Sequence, residues 1–231
     1  MMLLTQDLVD RFEAWFQTIQ KMHAEGKHHP NQPQYDQTLK ANYLWPFMNL
    51  PPVQQGCVLY DIGCAYGSMS LGAGLLGYEV RAFDIDLGYA SEALEGLGIP
   101  VRQWDLNNML LGEWPKADVV VFTEVLEHLD FNPVRALTNI KDVMVPGGRL
   151  IMSTPRAEMS VHHTPDLEGM KRHWSCLPGK RDAGVKPEDR HHHLYTNSQL
   201  FELLEKSGFR ILTYSNDLWG GLHVGVVAQC L

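Results

Sequence analysis

Three aspartates stand where short apolar runs end: Asp61 after CVLY, Asp84 after YEVRAF and Asp105 after IPVRQW. Between the first two lie Gly63, Ala65 and Gly67, small residues whose spacing lets a backbone turn approach a ligand closely. A carboxylate beside such a turn attracts an amino group or a sulfonium and repels a pyrophosphate. Asp84, 21 positions after Gly63, is spaced to accept hydrogen bonds from ribose hydroxyls. Asp105 offers an acceptor for the exocyclic amine of adenine, with apolar Leu106 beside the ring. The three acids suit an adenosine ligand that carries positive charge and no phosphate.

A second set of reactive types follows in TEVLEH, where Glu124 and His128 are four residues apart. On a helical turn they would share a face. His128 is the candidate for positioning an acceptor or taking its proton, and Glu124 for contacting or shaping the cofactor loop. Bracing of the loop or capping of a helix is the plain alternative for the pair. The order E-V-L-E-H is not the H-E-x-x-H of zinc proteases.

A dinucleotide turn, G-x-G-x-x-G, would ask for glycines at 63, 65 and 68, where the chain has Gly63, Ala65 and Ser68. This residue pattern and Asp61 weigh against a nicotinamide-dependent oxidoreductase, which remains the first rival reading. A cofactor-binding protein without catalysis is the second.

The elements that must position these residues alternate. Strand-like CVLYD, YEVRAFD, IPVRQWD, ADVVVFT and RLIMSTP are separated by the helical stretches YGSMSLGAGLLG, LGYASEALEGLG and FNPVRALTNIKDVM, with VPGG as a turn. TNSQLFELLEKSG forms a last helix, and FRILTYS and GLHVGVVAQC a hairpin through Trp219-Gly220-Gly221. The expected fold is α/β: a Rossmann-like, doubly wound, seven-stranded and mostly parallel sheet with an antiparallel edge hairpin. Ahead of it, residues 6–24 place apolar side chains at helical spacing, and 35–45 resume that pattern until Pro46 closes it. The expected organisation is a helical cap over 1–52 and one main domain over 53–231, with a loop insertion at 155–195. Trp15, Phe16, Tyr35, Tyr43, Trp45 and Phe47 of the cap read first as core packing, with a lid as their second use.

Taken in order, DIGCAYG, FDID, WDL and FTEVLEHLDFNPVRALTNIKDVMVPGGRLIMSTP resemble the class I S-adenosylmethionine-dependent methyltransferases. The EVLEHL stretch and HHHLYTNSQLFELLEKSGF further resemble the small-molecule subgroup that includes ubiquinone-pathway and sugar O-methyltransferases. The resemblance implies S-adenosylmethionine as cofactor. It implies that Gly63, Ala65 and the nearby backbone hold the methionine moiety, that Asp61 orders that loop, that Asp84 binds ribose, and that Asp105 and Leu106 bind adenine. It implies methyl transfer to a small molecule, with oxygen as the expected acceptor atom. The chain departs from the family at Ala65, where glycine is usual, and at Asp86, where serine is frequent; Ala65 costs little unless the turn needs positive φ there.

Composition bounds the rest. A net charge of −8 over 231 residues repels nucleic-acid backbones, so no nucleic-acid partner is expected. No apolar run is long enough to span a bilayer, and MMLLTQDLVD lacks the basic start of a signal peptide. Four cysteines without a paired spacing fit a reducing, cytoplasmic setting. Against the acidic whole, six basic residues between 169 and 190, Arg172 and Arg190 among them, suggest a segment that meets an anionic acceptor. His162, His163, His173 and His191 to His193 invite a metal, but adjacent histidines on a strand point to opposite faces, and no metal is expected.

Overall fold

The computed structural model describes residues 6–89, 92–96, 98–159 and 191–231. The chain divides into two compact units, Met1–Trp104 and Asp105–Leu231.

The first unit holds helices α1 (Gln6–Ala24), α2 (Gln32–Asn49), α3 (Ser68–Leu75) and α4 (Glu92–Gly96), and strands β1 (Val58–Ile62), β2 (Glu79–Asp84) and β3 (Val101–Gln103). The helical spacing of α1 places Phe12, Trp15, Phe16 and Ile19 on one face, where they bury against Phe47 of α2. Trp15 and Phe47 stack with ring centroids 5.5 Å apart. Pro46 does not close α2, which begins at Gln32, with a proline in its first turn, and continues through Pro46 to Asn49. A proline in the last turn removes a single ladder bond, and burial of the Phe47 ring, worth roughly 1.5–3 kcal/mol, offsets that loss. The pair docks on α3 through Gly72, where an added Cβ would lie 2.4 Å from Trp15 Nε1. All five residues of β1 are buried, as a strand covered on both faces requires. It pairs parallel with β2, and β2 parallel with β3.

The second unit holds β4 (Ala117–Thr123), α5 (Pro133–Asp142), β5 (Met144–Pro155), α6 (Asn197–Lys206), β6 (Phe209–Leu218) and β7 (His223–Cys230). Asn132 caps α5 by accepting from Val134 N at 2.9 Å. Thr196 and Gln199 form a reciprocal capping box on α6, an arrangement worth about 1 kcal/mol. VPGG, expected as a turn, lies inside β5. The register against β4 slips between Ala117 and Val119, Gly147 takes φ 83°, and a Cβ on Gly148 would meet Val145 O at 2.9 Å. The glycines therefore make an irregularity within the strand instead of ending it.

The strand order is β3-β2-β1-β4-β5-β7-β6. β4 and β5 run parallel, and β7 is antiparallel to both β5 and β6. This is the expected seven-stranded, mostly parallel sheet. The hairpin adds one refinement, because β7 inserts between β5 and β6 and leaves β6 at the edge. No helix among the described residues is long and apolar enough to cross a membrane.

Candidate functional site

In the first unit the chain leaves β1 through a turn that only permissive backbones can follow. Gly63, Ala65 and Gly67 have φ of 75°, 45° and 80°. Gly67 has a second constraint, since an added Cβ would lie 2.4 Å from the Leu94 side chain. Ala65 is thus not the mild departure its size suggests: the turn does need positive φ there, at a cost of about 1 kcal/mol or more. Gly63 N and Cys64 N both donate to Phe83 O, at 2.8 and 3.0 Å, which ties the turn to the end of β2.

Asp84 completes the tie. Its Oδ2 accepts from Ala65 N at 2.8 Å and its Oδ1 from Asp86 N at 3.0 Å. A carboxylate offers about four acceptor sites and three backbone amides reach this one, so a hydroxyl donor can still be accommodated. Burial pushes the Asp84 carboxyl above its usual range, against the stabilising amides of Asp86, Ala65 and Ile85. Asp61 is placed differently from the crevice-facing acid that its strand-end position suggests. It is 3% exposed and accepts from Ser70 Oγ of α3 at 2.6 Å. Burial raises its carboxyl to about 6, the Ser70 bond pulls it down, and the charge of Asp84 pushes it up again.

Behind the turn is a buried polar group for which the sequence offers no spacing signal. Ser68 Oγ donates to Asp36 Oδ1 at 2.6 Å, Tyr43 Oη donates to the same oxygen at 2.8 Å, and Gln32 Nε2 donates to Ser68 Oγ at 3.0 Å. His23 Nε2 lies 3.1 Å from Asp36 Oδ2. Burial raises the Asp36 carboxyl and lowers His23. The cap helices are therefore pinned to the first turn of α3 by hydrogen bonds as well as by rings.

In the second unit, Asp105 shapes its own loop: Oδ1 accepts from Asn107 N and Oδ2 from Asn108 Nδ2, both at 2.8 Å. Leu106 is buried, and its carbonyl accepts from Asn139 Nδ2 of α5 at 2.9 Å.

Glu124 and His128 do not share a helical face. Glu124 follows β4 with φ 56°, and the helical turn that comes next is a single 3₁₀ turn, Leu126–His128. The two side chains instead join different partners. Glu124 accepts from Ser153 Oγ at 2.6 Å and lies 2.7 Å from His223 Nδ1. Trp219, another non-glycine at positive φ, packs its ring on His223. His128 Nε2 lies 3.7 Å from Glu127 Oε1, and its ring meets that of His191 edge-on at 4.8 Å. Glu127 is 1% exposed, and its Oε2 accepts from Thr154 Oγ1 at 2.9 Å. Burial holds the Glu127 carboxyl well above the usual range, and the charge of Glu124 adds to the shift. The amides of His192 and His193 donate to the Glu127 carbonyl at 2.7 and 3.3 Å, fixing the histidine run beside it. Glu127 and His223 are the residues that spacing missed. The signal for the first was present in EVLEH, whereas nothing local marks the second. His162, His163, His173, Arg172 and Arg190 lie outside the described residues.

This geometry agrees with what the chain is similar to. A family model described as a methyltransferase domain matches residues 9–214. A ubiquinone biosynthesis O-methyltransferase of Cereibacter sphaeroides is 31% identical over 112 residues, 46% of this chain and 44% of that protein. A protein of the same description from a Caulobacter species is 32% identical over 105 residues, 43% of this chain and 41% of that one. These matches span less than half the length of the curated relatives. Among solved structures, an S-adenosylmethionine-dependent methyltransferase from Methanosarcina mazei superposes with TM-score 0.56 at 18% identity, over 78% of this chain and 95% of its own. One from Mesorhizobium loti gives 0.56 at 19%, over 78% and 93%. The chain belongs to the methyltransferase-domain family, on the class I fold of S-adenosylmethionine-dependent methyltransferases.

Proposed function

We propose that the chain transfers the methyl group of S-adenosylmethionine to an oxygen of a small-molecule acceptor. The observation that carries the choice of cofactor is the bond from Ala65 N to Asp84 Oδ2. In a pyrophosphate-binding turn such amides point at phosphate oxygens. In this turn Asp84 already occupies the Ala65 amide, so a second anion there would be repelled. The same carboxylate suits ribose hydroxyls, and its charge with that of Asp61 suits a cationic ligand.

When bound, S-adenosylmethionine supplies an electrophilic methyl group on a positively charged sulfur. Gly63, Ala65 and Gly67 let the backbone approach the methionine portion, Asp84 accepts from the ribose, and Asp105 and Leu106 receive the adenine. Asp61 holds the turn from behind through Ser70. Transfer forms an acceptor O–C bond as the S–C bond breaks, and the hydroxyl proton must leave. Glu124 and His128 are the side chains assigned to the acceptor: they orient its hydroxyl and receive that proton. Acceptance by oxygen is supported by the names of the curated relatives, and an anionic acceptor by the surplus of positive charge over residues 169–190.

The test is direct. The full-length protein should bind S-adenosylhomocysteine at micromolar concentration, should ignore NAD, and should form S-adenosylhomocysteine from S-adenosylmethionine with hydroxylated small molecules. Binding of NAD without S-adenosylhomocysteine would sink the reading. Charge reversal at Arg172 and Arg190 that left acceptor KM unchanged would remove the anionic part.

A further inference from the structure

We infer that Asp36 of α2 is a positioning residue for the cofactor turn: acting through Ser68, it holds the first turn of α3 where the backbone of the glycine turn meets S-adenosylmethionine. The inference rests on the cofactor reading above and gives the cap helices a task in that site. Ser68 follows Gly67 directly and opens α3. Its hydroxyl is engaged in both directions, donating to Asp36 Oδ1 at 2.6 Å and accepting from Gln32 Nε2 at 3.0 Å. Tyr43 Oη donates to the same Asp36 oxygen at 2.8 Å and so fixes the carboxylate from a second direction. A hydroxyl has one proton to give, and this one is committed. On the other grip, Asp61 at the end of β1 accepts from Ser70 Oγ at 2.6 Å. Two positions along an α-helix turn by about 200°, so Ser68 and Ser70 leave α3 on opposite sides. One grip alone leaves the helix free to rock about it. Two opposed grips, from the strand and from the cap, fix its first turn.

The cap also holds the residue on the other side of Gly67. The ring of Tyr66 meets that of Tyr35 edge-on at 4.8 Å and that of His29 at 5.0 Å. Gly67, at φ 80°, thus lies between two residues that α2 and the segment before it keep in place. The rings and the acid do different work. Phe12, Trp15, Phe16 and Ile19 bury against Phe47, and that apolar burial supplies the stability of the α1–α2 pair. Asp36, Gln32 and Ser68 are buried as well. A buried carboxylate adds little net stability, because the cost of taking its charge out of water offsets what its hydrogen bonds return. What it adds is direction, since short charge-assisted bonds tolerate less displacement than ring contacts do. Direction is what a backbone site needs. A turn whose ligand contacts come from the main chain has no rotamers with which to adjust, so its affinity depends on being placed beforehand.

The experiment measures S-adenosylhomocysteine binding by calorimetry on the full-length protein, at a temperature where every variant is folded. Ser68→Ala should raise Kd by about 10-fold, and Asp36→Ala by at least as much. Asp36→Asn still accepts from both hydroxyls through Oδ1, so its Kd should stay within about 3-fold of the native value. Phe12→Leu is the control for stability alone. It thins the ring packing of the same cap, should lower the thermal midpoint at least as far as Ser68→Ala does, and should leave Kd within about 2-fold. Should Asp36→Ala fail to fold, Ser68→Ala and Asp36→Asn decide the matter between them. Native affinity in Ser68→Ala, or an equal loss of affinity in Phe12→Leu, overturns the inference and leaves the cofactor reading standing. Failure of the native chain to bind S-adenosylhomocysteine ends the cofactor reading, and the inference with it.

Discussion

At the glycine turn the groups offered to a ligand are largely backbone, carried by the stretch from Asp61 to Ser70 and tied down by one carboxylate, Asp84, from the next strand. At the glutamate and histidine cluster they are side chains drawn from separate stretches: Glu124 to His128, Ser153 and Thr154, His191 to Tyr195, and His223. Each region begins with a non-glycine residue forced to positive φ just past a strand, Ala65 after β1 and Glu124 after β4. Ala65 contributes its amide there, whereas Glu124 contributes its side chain. The same strain thus serves two purposes, closing a backbone cradle in one unit and aiming a carboxylate in the other.

The sharpest way to break this comparison is to remove one carboxylate from each region. Glu124→Ala takes away the acceptor of Ser153 and the partner of His223. The rate of methyl transfer is expected to fall by about 100-fold or more, the usual range for a proton-handling or acceptor-orienting group, with S-adenosylhomocysteine affinity changed less than about 3-fold. Asp84→Ala should do the reverse. It loses charge-assisted hydrogen bonds worth about 1.5–3 kcal/mol each, so S-adenosylhomocysteine Kd should rise about 100-fold in calorimetry. Equal losses of cofactor affinity in both variants would mean that the two regions do not divide the work.

A third substitution concerns the energy stored in the turn. The folded-state pKa of Asp61, about 6, is above its ordinary value of 3.8. A raised carboxyl stabilises the folded protein fully below pH 3.8, and that contribution is lost as pH rises through 6. At pH 7.5 the buried charge therefore costs the ligand-free protein up to about 3 kcal/mol. Asp61→Asn, which can still accept from Ser70, should be more stable than the native chain at pH 7.5 and equal to it near pH 4. Chemical denaturation at the two pH values measures the difference. A difference that does not change with pH would show that burial does not move the Asp61 carboxyl from its ordinary range. S-adenosylmethionine should bind the variant more weakly, since its positive charge would have offset that cost.

This contrast also explains what could be read from the amino-acid sequence. The alternation of strands and helices, the positions of β4 and α6, and the ring-lined face of α1 follow from residues within a few positions of one another. So does the turn itself, because Gly63, Gly67 and Asp84 are set by the local path of a strand, a turn and the next strand. The course of α2 through Pro46 was not legible, since burial of Phe47 outweighs a local rule. The strain at Ala65 was not legible either, because φ belongs to the folded turn and not to the residue type. The pairing of Glu124 with His223 joins positions 99 apart in the chain, and that of Ser68 with Asp36 joins positions 32 apart. No periodicity links such residues; only the sheet register and the docking of α1 and α2 bring them together.

The smallest expected effect tests whether the two strained residues are used as differently as the geometry says. Ala65→Gly removes the side chain that disfavours φ 45° and keeps the amide that Asp84 accepts. Relief of about 1 kcal/mol or more is partly offset by the greater freedom of glycine in the unfolded chain. The net gain should be below about 1 kcal/mol, which for a chain of this size moves the thermal midpoint upward by no more than about 2–4 °C, with activity retained. Glu124→Gly relieves comparable strain at φ 56° but deletes the acceptor of Ser153 and leaves His223, a buried residue, facing no carboxylate. Losing those partners costs more than the strain returns, so its midpoint should fall and its activity should be lost. Opposite signs from the same backbone relief would assign the strain at Ala65 to the turn and the strain at Glu124 to its side chain. A gain in stability for both would show that the contacts of Glu124 contribute less than the conformation that presents them.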